Sequence, residues 1–565
     1  MKYAVEPATL VSGKQFDVVI IGAGINGLGI ARDAAERGLS VCIVEQEDLC
    51  SGVSAWSGRL VHGGLRYLEH KDVPLVRESL RERELLFKVA PHLVKPVRLI
   101  MPFYSRNKRP AWLIRMGMLA YDVLSADKSV AWHKILSKKD VLERFTGMAE
   151  KGLSGAALFT DGQLEYAERL CVELAVAAAD AGAVILNHHK VVHMMKTENN
   201  VVTGVVVSAS GADTFEVKAK IVINAGGPWV DAVLRGETGA AKPDVVAKRL
   251  IGGSKGSHII VDPFPGAPTD VVYYESQSDG RLVLVIPWMG RYLIGCTDIL
   301  FDEEPDSARA EGSEITYLLN EANALMPQAH LTLDKILFTY SGVRPLPFAP
   351  GVPEWKIPRS HIVLDHAKTG YPGLLSIVGG KLTTYRQLAE DATDVVVSKL
   401  GYGARKPISK KTLFPGARTP DYAAFVRDFM RNELLLPDSS SRLVELYGVR
   451  AQSILELVRT TPELGERFDP NSPAIAAELI FAVENEFAVT LTDLFARRTM
   501  LAFEPSHGLA GAARAAEIVG THQKWSAAEQ REEVEEYSRW LDHLRVPGQQ
   551  KTVADIADVS DIMGS

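Results

Sequence analysis

The apolar positions near the start of the chain follow two periods in succession. Asp17 to Ile21 is a short, nearly continuous apolar run ended by glycine, which predicts a buried strand. Gly22, Gly24 and Gly27 follow as G-x-G-x-x-G and open a helix. A second apolar run, Val41 to Val44, ends in Glu45, 18 residues after Gly27. Strand, glycine turn, helix, strand and acid in this order predict an adenine dinucleotide site. Gly22 makes the tight turn, Gly24 lets the backbone approach a pyrophosphate, and Gly27 lets helix and strand pack closely. The helix N-terminus offers N–H groups and a partial positive charge to phosphates. Glu45 can accept from both ribose hydroxyls, and its charge disfavours a 2′-phosphate. The motif alone leaves FAD, NAD and a ligand-free turn open.

Further along, Ser51 to Leu68 reads as a Gly- and Ser-rich loop too polar for core, and Leu75 to Ala90 as an amphipathic helix. Gln163 to Ala181 predicts a helix stopped by Gly182, with a strand resuming over Ala183 to Leu186. Val201 to Val207 and Thr214 to Ile223 predict paired strands. The second runs into another glycine turn, Asn224 to Trp229. Several strands are expected between 257 and 299, a helix over Ser313 to Met326, a strand over Leu374 to Val378, and a helix after Gly379 to Tyr385. Composition shifts at about 402 to 420, where Gly, Pro and Lys cluster. Beyond it strand signals vanish, and 420 to 545 carries helical periodicity, as over Ala527 to Leu544. A separate α-helical domain is expected there.

Composition narrows this picture. At 565 residues, 46% hydrophobic and 24% charged, the chain suits a multi-domain globular protein. A net charge of −7 leaves no general basic footprint for nucleic acid, so an anionic substrate would need locally gathered cations. Cys42, Cys50, Cys171 and Cys296 are scattered, with neither a C-x-x-C pair nor metal spacing, and read as free thiols in a reducing compartment. No signal-peptide pattern stands at the N-terminus and no run of about 18 apolar residues occurs, so a cytoplasmic location is expected.

Several strings carry a family resemblance. Gly58 to His70 (GRLVHGGLRYLEH), Lys255 to Ile260 (KGSHII), Val285 to Met289 (VIPWM), Thr339 to Pro345 (TYSGVRP) and Gly379 to Arg386 (GGKLTTYR) closely resemble the FAD-dependent glycerol-3-phosphate dehydrogenases of bacterial respiratory type. Leu491 to Thr499 (LTDLFARRT) is similar to that family's C-terminal domain. The resemblance runs from about 16 to about 540. It departs at Arg59, where the family usually has Lys, and at Trp56-Ser-Gly, where the family is Ser-rich.

The resemblance implies an α/β fold: a glutathione-reductase-like Rossmann FAD domain, a mixed-sheet substrate domain of D-amino-acid-oxidase type, and the α-helical C-terminal domain. The expected boundaries are 1–100, 150–255 and 340–400 for the FAD-binding domain, 101–149 and 256–339 for the substrate-binding, membrane-facing domain, and 405–565 for the helical one. It implies oxidation of sn-glycerol 3-phosphate to dihydroxyacetone phosphate, with hydride transfer from C2 to flavin N5 and electrons passed to a membrane quinone. A homodimer is an expected assembly.

Residue by residue, the resemblance places Arg66, Arg344, Arg359 and Lys381 on the substrate phosphate and glycerol, with Tyr67 and His258 as polar partners. Arg suits the task because its planar fork binds phosphate bidentately. Arg344, Arg66 and Lys381 are expected in catalysis as cations beside a developing alkoxide. His258 is the first candidate base, an imidazole titrating near working pH; the alternative is that it only hydrogen-bonds substrate. FAD contacts are expected from Ile21, Gly22, Ala23, Gly24, Ile25, Asn26 and Gly27 of the first turn, and from Glu45 and Gln46. Further contacts are Ser54, Ser57, Leu60, His62, Gly63 and Gly64 of the loop, then Val191, Ala225, Gly226, Trp229 and Gly342. The last group is Gly380, Lys381, Leu382, Thr383 and Thr384, where a helix N-terminus would face the anionic reduced flavin. His62 is expected to pack or hydrogen-bond rather than bond the flavin covalently.

Residues 102–122 mix Arg106, Lys108, Arg109 and Arg115 with Trp112, Leu113, Ile114, Met116, Met118 and Leu119. Too short and charged to span, the segment fits a helix lying on a membrane surface, on the inner face of the cell membrane. Three other readings compete: a glycerol-3-phosphate oxidase using oxygen, a non-catalytic dinucleotide-binding protein, and an amino-acid oxidase of the same fold. The second has no need of the cations, and the third needs a carboxylate clamp instead.

Overall fold

The computed structural model describes residues 7–65, 68, 72–209, 214–236, 245, 248–352, 357–403 and 405–549. The strand Gln15–Ile21 is buried from Phe16 onward. It lies between two parallel neighbours, Val41–Val44 and Thr214–Asn224. Val184–Leu186 and Leu374–Val378 extend the parallel sheet, and Ile362–Asp365 closes it antiparallel. Strands of this kind are covered on both faces, which is why they read as unbroken apolar runs. The helices Ile25–Glu36, Ala167–Asp180 and Tyr385–Lys399 cover one face. The hairpin His189–Lys196/Val202–Ala209 packs its valines into the cluster on the other. Gln15–Ile21, Thr214–Asn224 and Leu374–Val378 therefore end at one edge, where the turns after Ile21, Asn224 and Val378 meet. Open parallel sheets bind ligands at such carboxyl ends.

A second, ten-stranded mixed sheet stands beside it. Its long pairs are Val94–Tyr104 with Leu153–Leu164 and Ile251–Val261 with Ile336–Pro347, both antiparallel. In the latter, Ser254 faces Arg344, Gly256 faces Gly342 and His258 faces Tyr340. Beyond Tyr422 the described residues are helical apart from one bridge between Arg467 and Ile475. The helical domain is joined to the dinucleotide domain by buried ion pairs: Arg169 to Glu486 at 2.6 Å, Arg450 to Glu173 at 3.0 Å and Arg498 to Asp48 at 2.6 Å.

Several sequence readings shift. The helix expected from Gln163 begins at Ala167, because Gln163 and Leu164 still belong to the strand pairing Val94–Tyr104. Val94–Tyr104 runs across the boundary placed at 100, and Leu153–Leu164 and Ile336–Pro347 join the second sheet although 150–255 and 340–400 were assigned to the first domain. Polar residues and prolines broke the alternation in these long strands. The Ser51–Leu68 loop is not excluded from the core: Arg59 and Val61 are fully buried, and Leu60–Val61 forms a short strand. Arg59 is tolerated inside because Glu168 lies at 2.6 Å and the rings of Trp288, Phe503 and Tyr340 stand 5.0, 5.3 and 5.6 Å from its guanidinium.

Candidate active site

A cavity of about 850 Å³ starts at the first glycine turn and runs between the two sheets. The turn has the shape the motif predicts. Gly22 sits at φ +101°, and a Cβ there would lie 2.8 Å from the Ala225 carbonyl oxygen. A Cβ on Gly27 would stand 1.9 Å from the Gly22 oxygen, so any side chain would push the helix off the strand. Ile25 donates its N–H to Ser54 Oγ at 3.0 Å. Glu45 accepts from the N–H groups of Ala23 and Glu47, at 2.7 and 3.0 Å. Burial raises its carboxyl above the usual range, while these two donors act the other way. Each carboxylate oxygen keeps acceptor capacity for a ribose hydroxyl. Asn26 Oδ1 is buried without a hydrogen-bond partner among the described residues, and the residue lines the cavity. A backbone cradle, a ribose acceptor and an unsatisfied amide beside it fit an adenine dinucleotide.

The inner part of the cavity carries the cations. Arg344 Nη1 reaches Asp298 Oδ1 at 3.2 Å and Ser254 Oγ at 3.3 Å, and its Nη2 reaches Cys296 Sγ at 2.8 Å. The guanidinium lies on Gly256, where a Cβ would meet Nη2 at 2.2 Å. Arg359 Nη2 reaches the other Asp298 oxygen at 3.4 Å. Lys381 stands at the N-terminal entry of the Leu382–Thr384 turn that leads into Tyr385–Lys399. Burial pushes its ammonium down to about 7; Glu78, Asp72 and Asp161 act against this, and Arg359 with it. His258 is buried, with its ring 4.8 Å from that of Tyr340 and Nδ1 without a hydrogen-bond partner among the described residues. Burial first, then Arg344 and Arg59, hold it at about 3. The expectation of an imidazole titrating near working pH is therefore not met: His258 is neutral throughout that range.

Most of the expected cofactor residues border this one cavity: Ile21, Gly22, Gly24, Ile25, Asn26, Glu45 and Gln46, then Ser54, Ser57, Leu60, His62 and Val191. So do Ala225, Gly226, Trp229, Gly342, Gly380, Lys381, Leu382 and Thr383, and the substrate candidates His258, Arg344 and Arg359. Ala23, Gly27, Gly63, Gly64 and Thr384 do not. Ala23 orients Glu45 and Gly27 packs the turn, while Gly63 donates to the Tyr121 hydroxyl at 2.9 Å and Thr384 to the Lys381 carbonyl at 3.1 Å. The His62 imidazole is held at about 4 by burial, and its backbone N–H donates to Thr383 Oγ1 at 3.3 Å. Arg66 and Tyr67 lie outside the described residues.

The sequence reading missed Asp298, Cys296 and the helical domain's share of the wall. Trp540, His543, Asp493 and Arg497 line the cavity, and Trp540 and His543 stack on Trp56 of the loop at 6.2 and 6.5 Å. The loop's Trp56, a departure from the family pattern, was the available signal. In the basic amphipathic segment, the helix Ala111–Leu124 buries Ile114, Met118 and Tyr121 and presents Trp112, Leu113, Met116, Leu119 and Val123 to solvent. Ile114 and Met118 thus belong to the core, and Arg109 is paired with Glu275 at 2.7 Å. No helix among the described residues is long and apolar enough to cross a membrane.

Comparison with known proteins agrees with this geometry. Residues 17–386 match the family described as FAD dependent oxidoreductase, and 407–530 match the C-terminal domain of alpha-glycerophosphate oxidase. A glycerol-3-phosphate dehydrogenase of Synechocystis is 43% identical, covering 95% of this chain and 98% of its own. An aerobic glycerol-3-phosphate dehydrogenase of Staphylococcus saprophyticus is 33% identical over 86% and 87%. Among solved structures, the glycerol-3-phosphate dehydrogenase of Bacillus halodurans complexed with FAD superimposes with a TM-score of 0.79 at 27% identity, covering 98% of this chain and 100% of that one. With the dinucleotide cradle, the mixed second sheet and the helical domain all in place, the chain belongs to the FAD-dependent glycerol-3-phosphate dehydrogenase family.

Proposed function

We propose that this chain oxidises sn-glycerol 3-phosphate at C2 to dihydroxyacetone phosphate and hands the electrons to a membrane quinone. The observation that carries the reading is the convergence of Arg344, Arg359, Lys381 and His258 on the cavity that begins at the dinucleotide turn. A phosphate monoester carries a charge of about −1.5 to −2 near neutrality, which guanidinium forks and an ammonium hold well. Bound FAD supplies the two-electron, hydride-accepting chemistry. Arg344, fixed by Ser254, Asp298 and Cys296, holds the substrate phosphate and so orients C2 for reaction. His258, kept neutral, takes the hydroxyl proton, and the family resemblance assigns Arg66 and Tyr67 to the same substrate. With FAD bound, the N-terminal end of the Leu382–Thr384 turn would lend partial positive charge to the electron-rich part of the reduced flavin.

The quinone reading is supported by the apolar row on Ala111–Leu124, where Trp112 is 65% exposed and Met116 and Val123 are each 60% exposed. With Arg106 and Arg115 nearby, such a face suits adsorption to the inner leaflet of the cell membrane. A second reading, transfer to oxygen, is favoured by the C-terminal match to alpha-glycerophosphate oxidase. Anaerobic titration of the yellow holoenzyme separates them. Glycerol 3-phosphate should bleach the flavin band near ~450 nm while amino acids do not; an unbleached flavin overturns the substrate. Reoxidation by a soluble quinone supports the first reading, and stoichiometric hydrogen peroxide replaces it. Failure to sediment with anionic vesicles at low salt removes the membrane part.

A further inference from the structure

We propose that Asp298 is the positioning residue that turns Arg344 and Arg359 into one phosphate clamp. The inference rests on the substrate reading above. One carboxylate serves both guanidinium groups, Oδ1 on Arg344 at 3.2 Å and Oδ2 on Arg359 at 3.4 Å. Arg344 comes from the strand Ile336–Pro347, whereas Arg359 lies in the connection before Ile362–Asp365. The two come from different segments, and two like charges repel unless a counter-charge joins them. Both arginines line the cavity and Asp298 does not, so the carboxylate stands behind them. It is itself held: Ser254 donates its hydroxyl to Oδ1, and Arg281 donates to the Asp298 backbone carbonyl. Ser254 is also the cross-strand partner of Arg344 and a 3.3 Å contact of its Nη1. The clamp is thus pinned by Ser254 of the sheet and by Arg281 beside it. Its forks meet a dianion already oriented, so less order is lost on binding.

Charge alone and positioning predict opposite signs for Asp298→Asn. Removing a negative charge beside two arginines should tighten a dianion, whereas releasing the arginines should weaken it. Positioning predicts that KM for glycerol 3-phosphate rises about tenfold or more, with kcat at saturation changed less than about threefold. Inhibition by inorganic phosphate should weaken in parallel. Ser254→Ala, which keeps the carboxylate but removes one of its supports, should shift KM the same way by a smaller factor. Flavin content and melting temperature are read on each variant. A lower KM in Asp298→Asn, or a kcat that falls as much as kcat/KM, overturns the proposal. If Asp298→Asn does not fold, an unchanged KM in Ser254→Ala does so. Should the unsubstituted holoenzyme itself not be reduced by glycerol 3-phosphate, the substrate reading fails instead, and phosphate binding then tests the clamp alone.

Discussion

At the junction with the helical domain, Arg498 gives both oxygens of Asp48 a hydrogen bond, at 2.6 and 2.8 Å, and both side chains are fully buried. Arg169 does the same for Glu486 at 2.6 and 2.7 Å, and Arg450 adds a second cation to that acid. In the inner cavity, Arg344 and Arg359 instead divide one carboxylate at 3.2 and 3.4 Å and border open space. The same residue type does opposite work in the two regions. Fork-to-fork pairs satisfy both partners and hold two domains together, because a buried charge is tolerated only when its partner is present. A shared, longer pair on the cavity wall gathers two guanidinium groups where an incoming anion would meet them. An arginine's role here follows from how completely its partner answers it, which its neighbours in sequence do not tell.

Breaking one region should therefore unfold, and breaking the other should inactivate. Arg498→Met removes two donors from buried Asp48, leaving Arg497 as its remaining cation, and should cost about 1–3 kcal/mol. Melting and proteolysis within 402–420 should detect it, with KM for the surviving fraction unchanged. Arg344→Lys keeps the charge but loses the fork, and should lower kcat/KM by about 10²–10³-fold with melting near that of the parent. If Arg344→Lys melted early, or Arg498→Met stayed stable while losing turnover, the division between the two regions would be wrong.

Within the catalytic region the pH profile sharpens the contrast. His258→Gln should slow turnover by about 10²-fold yet move no limb between pH 5 and 9, since the imidazole is held at about 3. Lys381, pushed to about 7, should set the upper limb: kcat/KM falls as its proton leaves, and Lys381→Gln abolishes that limb. The lower limb belongs to the substrate, whose second phosphate proton leaves near about pH 6. An upper limb that survives in Lys381→Gln would assign it elsewhere.

The dinucleotide half of the site was legible because it is made locally. Gly22, Gly24, Gly27 and Glu45 lie within one βαβ unit, and steric demands of the turn write themselves into the chain as glycines. The substrate half is made by register. Ser254 meets Arg344 only because Ile251–Val261 pairs with Ile336–Pro347, and no local signal announces Asp298. Arg344 and Lys381 were found through long family strings rather than through spacing. Arg59 shows the other failure: a polar residue in a polar loop reads as surface, yet Glu168, over a hundred positions away, draws it into the core. The same holds for the Arg497–Arg498 pair, whose partner Asp48 stands in the first nucleotide unit.

The smallest expected effect concerns His188, a partly exposed member of the junction, 24% exposed and 2.8 Å from Asp493. Burial works against its charge, but Asp493 overcomes this and lifts the imidazole to about 9. A group whose folded value is raised contributes all its stability below the unfolded value of about 6.5 and loses it as pH climbs through the folded one. The junction should weaken between about pH 6.5 and 9, by about 1 kcal/mol after allowing for solvent screening. The catalytic region has its own titration near 7, so the two can be told apart by substitution. His188→Gln should flatten the melting-temperature profile over that window and leave the Lys381 limb where it was. A melting profile that keeps its slope in His188→Gln would mean that the closed arginine pairs carry the junction without help from the imidazole.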